Sequence, residues 1–140
     1  MNIQKIRKNN TVIALVQSDE PLITDVQSAL DLMATVHYET NCNCVALNKA
    51  AIIEDFFKLS TGLAGEILQK FCNYQMKIAI IGDFSQYSSK PLKDFIYESN
   101  RGRNVFFAST EDEAIDKLSG TPTNQRGISS LRGGKNPEFR

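Results

Sequence analysis

Residues 44–83, CVALNKAAIIEDFFKLSTGLAGEILQKFCNYQMKIAIIGD, contain two apolar runs on either side of an amphipathic helix pattern. The runs at 44–47 and 77–81 are short and apolar, which is typical of buried strands. Between them, apolar side chains recur at helical spacing: Leu63, Ile67, Leu68 and Phe71. Because two parallel strands need a helix-length connection, this stretch predicts a β-α-β unit in a parallel sheet.

The N-terminal part adds a hairpin and a helix. Runs of β type at 2–6 and 11–16 flank Lys8-Asn9-Asn10, and asparagine tolerates the positive φ of a tight turn. The stretch Thr24-Asp25-Val26-Gln27 is interpreted as a capping box that opens the helix. The apolar stripe predicted for this helix comprises Val26, Ala29, Leu30, Met33 and His37.

The C-terminal part repeats the alternation of helix and strand. Ser88-Ser89-Lys90-Pro91 predicts the start of a third helix, and residues 105–108 predict a last strand. Residues 110–113 predict a capped fourth helix. The order is β-β-α-β-α-β-α-β-α, an α/β fold with a mixed, mostly parallel sheet of about five strands and four helices.

Composition narrows the classes of function. The 140 residues carry 16 basic and 16 acidic side chains, so the net charge of zero argues against nucleic acid as a partner. No apolar run reaches the length of a membrane span, and the first ten residues lack the apolar core of a signal peptide. Three cysteines, an odd number, do not suggest a disulfide framework. We expect a cytoplasmic protein without membrane contact.

The chain divides into one domain and a tail. Residues 1–119 have the pattern of a single α/β domain. Residues 120–140 are rich in small and polar residues, and four basic side chains against Glu138 make them basic. Such a segment buries too little apolar surface to offset its chain entropy, so we expect it to be disordered.

Several segments carry a resemblance to the STAS-like fold, the domain of sulfate transporters and anti-sigma factor antagonists. They are Val45-Ala46-Leu47-Asn48, Ser60 to Leu68, Lys77 to Ile81, Leu92 to Ile96, Val105-Phe106-Phe107 and Asp112 to Ile115. The runs LITDVQSALDLMATV, LNKAAIIEDFFKLSTGLAGEILQKF and SKPLKDFIYESNRG resemble, more closely, a bacterial family described as a domain of unknown function. That closer likeness implies no activity.

The STAS-like resemblance implies a switch at a helix start. In anti-sigma factor antagonists a partner kinase phosphorylates the second Ser of an Asp-Ser-Ser-Gly-Leu type motif. Thr61 matches that position and Ser60 matches the preceding Ser, while Leu59 stands where that family usually has Asp. The alternative is that Ser60 or Thr61 simply caps the helix, as such residues commonly do.

The connection before that helix is unusually apolar and predicts a protein-binding surface. Phe56 and Phe57 stand beside Glu54 and Asp55, and an apolar anchor flanked by acids suits a protein partner. The full set of predicted partner-binding residues is Asn48, Glu54, Asp55, Phe56, Phe57 and Gly62. The alternative is that both rings pack beneath the loop while the acids stay solvated. We expect an unidentified protein partner and keep a homodimer open.

A second hypothesis is a small-ligand binder or an uncharacterised enzyme. Ligands of open α/β sheets bind beyond the carboxyl ends of the strands, where Asp83 follows a strand and would act as acid or base. The predicted pocket comprises Asn48, Ser60, Asp83 and Ser85. The alternative is an ordinary Gly-Asp turn. Because no nucleophile, phosphate-loop or dinucleotide motif is present, we favour a non-enzymatic module over a catalyst and assign no catalytic residue.

Residues His37, Cys42 and Cys44 are of the types that bind zinc. Structural zinc sites have four ligands and this spacing supplies three, so we predict no metal site. Cys44 is expected to start a strand as a small apolar residue. No cofactor is expected.

Overall fold

The computed structural model describes residues 1–120, so the predicted tail lies outside the described residues except for Gly120. The strands are β1 (Asn2–Lys8), β2 (Thr11–Gln17), β3 (Cys44–Asn48), β4 (Lys77–Ile81) and β5 (Val105–Ala108). The α-helices are α1 (Val26–Thr40), α2 (Leu63–Asn73), α3 (Lys90–Arg101) and α4 (Glu111–Ser119). The predicted α/β class, with a mostly parallel five-stranded sheet and four helices, is confirmed.

The strands lie side by side in their order along the chain. β1 pairs with β2 antiparallel, and β2 to β5 pair in parallel. The β1–β2 turn places Asn9 and Asn10 at φ 52° and 66°, and a type I′ turn needs positive φ at both central positions. The hairpin predicted from these two asparagines is therefore confirmed.

The sheet is buried on both faces by two separate sets of side chains. Val45 and Leu47 of β3 pack in the core under α1, α2 and part of α3. Cys44 and Ala46 point to the opposite face and pack with residues of α4. Successive strand residues alternate between faces, so burial of both faces accounts for the uninterrupted apolar runs of β3 and β4.

The two edges of the sheet differ. At the β5 edge, the backbone N–H of Phe107 donates to the side-chain oxygen of Asn100 in α3 at 2.8 Å. At the other edge β1 pairs only with β2, and its exposed side chains include Lys5 and Arg7. At the β5 edge, a helix side chain therefore bonds a backbone N–H that points away from the sheet. At the β1 edge, the exposed side chains include charged residues, which discourage pairing with another strand.

Helix α1 begins one residue later than the predicted capping box. Asp25 is the N-cap and its carboxylate accepts from the backbone N–H of Ser28 at 2.8 Å. The Ser28 hydroxyl in turn accepts from the backbone N–H of Asp25 at 3.0 Å. A serine thus closes the box in place of the usual Glu or Gln. Thr24 and Gln27 are not the box residues.

The buried face of α1 also differs from the predicted stripe. Of the predicted residues, Ala29 and Met33 are buried, whereas Val26 and Leu30 are half-buried and His37 is exposed. The other buried residues of this helix are Leu32, Val36 and Thr40. The helix is rotated about its axis relative to the prediction, because the buried stripe continues through Leu32 and Val36.

Asp25 makes the stability of the fold depend on pH. The hydrogen bonds from Ser28 lower the pKa of Asp25 below its ordinary value of 3.8. A carboxyl whose pKa is depressed on folding stabilises the fold above its unfolded pKa and loses that contribution as the pH falls through the folded pKa. We therefore expect the melting temperature of the wild type to fall more between pH 6 and pH 3 than that of Asp25→Asn, which keeps a capping oxygen. Equal losses in the two proteins would contradict this.

No helix within residues 1–120 is both long enough and apolar enough to cross a membrane.

Candidate functional site

The segment between β3 and α2 is a series of short turns rather than an irregular loop. Three 3-10 helices follow one another: Lys49–Ala51, Glu54–Phe57 and Leu59–Thr61. The segment is tied to the chain before α1, because the N–H of Leu22 donates to the carbonyl of Ala51 at 2.7 Å. A segment fixed by backbone hydrogen bonds presents its exposed side chains in a defined arrangement.

The two phenylalanines of this segment lie in the core. Phe56 and Phe57 are 1% and 3% exposed, and their rings contact edge to face at 5.0 Å. Phe57 also packs against Phe84 and Tyr87, at ring-centroid distances of 5.9 Å and 5.6 Å. Neither ring is therefore available as an exposed anchor, which corrects the hypothesis that both contact a partner directly.

The neighbouring acidic residues are solvated. The side chains of Glu54 and Asp55 are 56% and 58% exposed. Asp55 pairs with Lys58 at 3.5 Å, which is an exposed ion pair of small energetic weight. The structure therefore agrees with the second interpretation of this segment: the rings of Phe56 and Phe57 pack beneath it, and the acidic side chains face solvent.

The start of α2 differs from the prediction at the cap. The helix begins at Leu63, and its N-cap is Gly62, with φ 78°. Glycine adopts this left-handed conformation without steric cost, so the chain turns into the helix at Gly62 and not at a capping hydroxyl. Ser60 and Thr61 belong to the preceding 3-10 turn.

The two hydroxyls at this turn are used differently. The Thr61 hydroxyl is within 2.9 Å of the Lys58 carbonyl, to which it donates, and it accepts from the N–H of Leu63 at 3.2 Å. The hydroxyl of Ser60 has no hydrogen-bond partner within residues 1–120, and the residue is exposed. Thr61 thus holds the turn together, whereas Ser60 is free to react or to bind.

A cluster not predicted from the sequence links this segment to the end of β4. Lys49 Nζ lies 3.3 Å from Glu54 Oε1, and the Tyr87 hydroxyl donates to Glu54 Oε2 at 2.8 Å. The same Nζ lies 5.1 Å from the ring centroids of both Phe57 and Tyr87. The ammonium group of Lys49 lies beside the stacked pair of rings and next to one carboxylate, a combination of cation–π and ionic contacts.

The cluster fixes the charge states of Lys49 and Tyr87. Burial acts to lower the pKa of Lys49, but interactions with Tyr87 and Glu54 outweigh it and raise the pKa above its ordinary value. The pKa of Tyr87 is also raised, with burial as the largest cause. Lys49 therefore stays charged and Tyr87 stays neutral near pH 7. A cluster with both pKa values displaced away from neutrality holds a segment in place and is poorly suited to proton transfer.

Within residues 1–120, no side-chain hydrogen bond joins Asn48 or Ser60 to Asp83 or Ser85, the other two residues of the predicted pocket. The Asn48 amide is engaged by the backbone of Ser18, from which it accepts at 3.0 Å and to which it donates at 2.7 Å. Asp83 accepts from the backbone N–H and hydroxyl of Ser85, at 2.9 Å and 2.6 Å. Ser60 belongs to the turn before α2. Asn48, Asp83 and Ser85 are thus engaged by other groups of the protein, whereas the Ser60 hydroxyl is free within the described part of the chain.

A different cavity lies at the carboxyl ends of β4 and β5. It has a volume of about 320 Å³, and its lining includes Asp83, Ile96, Phe107 and Glu113. Glu113 accepts from the backbone N–H of Ser109 at 2.9 Å. Hydrogen bonds from Ser85 lower the pKa of Asp83, so its carboxylate is ionised near neutral pH. The cavity has two carboxylates and suits binding better than general acid catalysis.

The three residues considered for zinc are not brought together. Cys42 packs in the core with α1 and α2, Cys44 packs on the opposite face of the sheet, and His37 is exposed. Burial raises the pKa of the Cys44 thiol, which disfavours the thiolate that a metal requires. Within residues 1–120, no group of three or more His, Cys, Asp and Glu side chains is placed to hold a metal ion.

The family model described as Domain of unknown function (DUF4180) matches residues 8–118 of the chain. The chain belongs to the DUF4180 family. No curated protein and no solved structure matches the chain significantly. The DUF4180 match runs from the last residue of β1 into α4, so it includes the whole β3–α2 segment and the Lys49–Glu54–Tyr87 cluster.

Proposed function

We propose that this DUF4180 protein is a non-enzymatic regulatory module of the bacterial cytoplasm that binds a protein partner, in the manner of an anti-sigma factor antagonist. The supporting observation is the exposed 54–62 surface, which comprises Glu54, Asp55, Ser60, Thr61 and Gly62 and is held rigid by the buried rings beneath it. A rigid, polar surface binds with little loss of conformational entropy.

The arrangement of strands supports a STAS-like relationship. An antiparallel hairpin precedes three β-α-β crossovers, and consecutive strands are neighbours throughout. The β3–α2 connection carries the two hydroxyls immediately before the helix, where the resemblance to anti-sigma factor antagonists assigns the phosphorylated residue. The contact surface we propose excludes Asn48, because its side chain is hydrogen-bonded to Ser18. It also excludes Phe56 and Phe57, because both rings are buried.

A phosphate on this surface would act by charge. It adds about −1.5 to −2 charges near pH 7, on a surface that also includes Glu54 and Asp55. Ser60 accepts a phosphate without loss of an existing hydrogen bond, whereas phosphorylated Thr61 loses the bond that it donates to Lys58. Both modifications add negative charge and a bulky group to the proposed contact surface, and that on Thr61 also loosens the turn.

The proposal is tested by capture of partners from native lysate with the full chain as bait. Wild type is compared with Ser60→Asp and Thr61→Asp. Ser60→Asn controls for size at the same position, and Ser88→Asp controls for an added charge at another exposed serine. We expect wild type, Ser60→Asn and Ser88→Asp to retain a common partner, and the two other variants to lose it by at least about tenfold.

Mass spectrometry of the bait recovered from its native host tests the modification itself. An added phosphate on Ser60 or Thr61 supports the switch. The proposal is wrong if no partner is retained by wild type, or if all five baits retain the same partner equally.

A second candidate function is binding of a small cationic or hydroxylated molecule. It is favoured by the cavity of about 320 Å³ at the ends of β4 and β5, which Asp83 and Glu113 line. Carboxylate oxygens accept hydrogen bonds, so they favour amines and hydroxylated molecules. A panel of such molecules at millimolar concentration should raise the melting temperature of wild type and not of Asp83→Asn. Absence of any shift in wild type would exclude this candidate.

A further inference from the structure

We propose that a second site, a cleft between α1 and the turn from α2 to β4, binds an uncharged, flat aromatic molecule. The cleft has a volume of about 460 Å³, within the range of roughly 300–1,000 Å³ that is usual for small-ligand sites. It is formed by one face of α1 on one side and by residues next to the starts of β3 and β4 on the other.

The walls of the cleft are mainly apolar. Helix α1 contributes Leu30, Met33, Ala34 and His37, which share one face because they are spaced at i, i+3, i+4 and i+7. Met33 and Met76 are 5% and 6% exposed and form its base. Methionine side chains are flexible and polarisable, and their sulfur atoms make favourable contacts with aromatic rings. The base of the cleft therefore suits a ring.

Polar groups surround this apolar base. His37, Asn43 and Tyr74 are all exposed lining residues. Within residues 1–120, none of their side chains has a hydrogen-bond partner in the protein, so all three can donate to or accept from a ligand. No Asp, Glu, Lys or Arg is among the lining residues. An uncharged ring with a hydroxyl, carbonyl or ring nitrogen matches this set.

The backbone around the cleft is already fixed. At one side, Asn41 ends α1 with φ 57°, and its N–H donates to the carbonyl of His37 at 2.8 Å. At the other, Gln75 has φ 57°, and the N–H of Met76 donates to Phe71 at 2.9 Å. The N–H of Lys77 donates to the carbonyl of Asn43 at 2.9 Å and joins the two sides. A preformed cleft loses little entropy when it binds.

This site is separate from the 54–62 surface. Asn43 precedes β3 and Met76 precedes β4, so the cleft is at the amino ends of the parallel strands. The 54–62 surface and the Asp83 cavity both follow strands, so they lie at the carboxyl ends, on the opposite side of the sheet from the cleft. Binding in the cleft can therefore be measured without dependence on the proposed partner.

The test uses 2-naphthol, a neutral fused-ring alcohol, and follows the amide NMR signals of the full chain during titration. We expect saturable shifts concentrated at residues 30–37, 43 and 74–76. Ala34→Trp fills the cleft from α1 and should weaken binding by at least about tenfold. Tyr38→Trp adds the same indole at a position 90% exposed and outside the lining, and should leave affinity unchanged.

His37→Phe tests the polar contact. It keeps an aromatic ring and removes both ring nitrogens, so we expect weaker binding of 2-naphthol with an unchanged melting temperature. The proposal is wrong if wild type shows no saturable binding, if the shifts are spread over the surface, or if Ala34→Trp binds as well as Tyr38→Trp. Thermal unfolding of each variant shows that the comparison is between folded proteins.

Discussion

Replacing Phe57 by alanine is expected to lower the free energy of unfolding by about 3–5 kcal/mol, the range for loss of a buried aromatic side chain. Phe57 is 3% exposed and contacts three other rings, those of Phe56, Phe84 and Tyr87. It also lies under the ammonium group of Lys49. The substitution leaves a cavity beneath the β3–α2 segment and removes one of the two aromatic rings that contact that lysine.

Chemical denaturation of Phe57→Ala, with the slope compared with wild type, measures this loss. Phe95→Ala is the matched control, because Phe95 is half-buried and its one described ring contact is with Phe107 at 6.0 Å. We expect a clearly smaller loss for the control. If the two variants are equally stable, the segment is not held by the ring cluster and the 54–62 surface is not rigid.

Gly82→Ala is expected to destabilise the protein by about 1–3 kcal/mol, as overpacking of a filled site does. A Cβ at position 82 would lie 2.8 Å from Cβ of Lys49 and 3.1 Å from its Cδ. The Cβ of a lysine cannot move without its backbone, so relief of the contact displaces Lys49 from Glu54 and Tyr87. Because Gly82 has no side chain, the side chain of Lys49 can pass directly over the backbone at the end of β4.

Gly65→Ala is the control for Gly82→Ala. A Cβ at position 65 would meet no heavy atom within 4 Å, and the residue lies in the first turn of α2. An unhindered Gly→Ala substitution stabilises by about 0.4–1 kcal/mol through the unfolded chain. The two variants are therefore expected to shift the denaturation midpoint in opposite directions. A midpoint for Gly82→Ala at or above that of wild type would contradict the assigned contact.

Local sequence patterns were sufficient to predict the strands and helices of the fold. The hairpin depends on two asparagines that tolerate positive φ, and β3 and β4 depend on short apolar runs. The rotation of α1 was not predicted, because apolar residues occur on more than one of its faces. Leu30, predicted as part of the buried stripe, is half-buried and contributes to the wall of the cleft between α1 and the turn from α2 to β4.

The candidate site was less predictable, because it depends on contacts distant in sequence. Glu54 and Tyr87 are 33 positions apart, and nothing in either local sequence indicates their hydrogen bond. From sequence alone, an apolar pair such as Phe56 and Phe57 is equally consistent with a core and with an interface. The structure distinguishes the two, because Phe57 packs against Phe84, which is distant in sequence. The Ser60 hydroxyl is free because Gly62, and not a serine, is the N-cap of α2.

The bond from Phe107 to Asn100 limits how copies of this protein can join through their sheets. Growth by strand addition needs an open row of backbone groups on each incoming molecule, and here α3 already supplies a partner at the β5 edge. The remaining edge is β1. Two copies joined there would leave only their β5 edges for further addition, and each of these has one outward N–H already bonded to Asn100. Repeated strand pairing into a fibre is thereby disfavoured. The substitution Asn100→Ala would remove the hydrogen bond to Phe107 and leave that N–H of β5 unpaired.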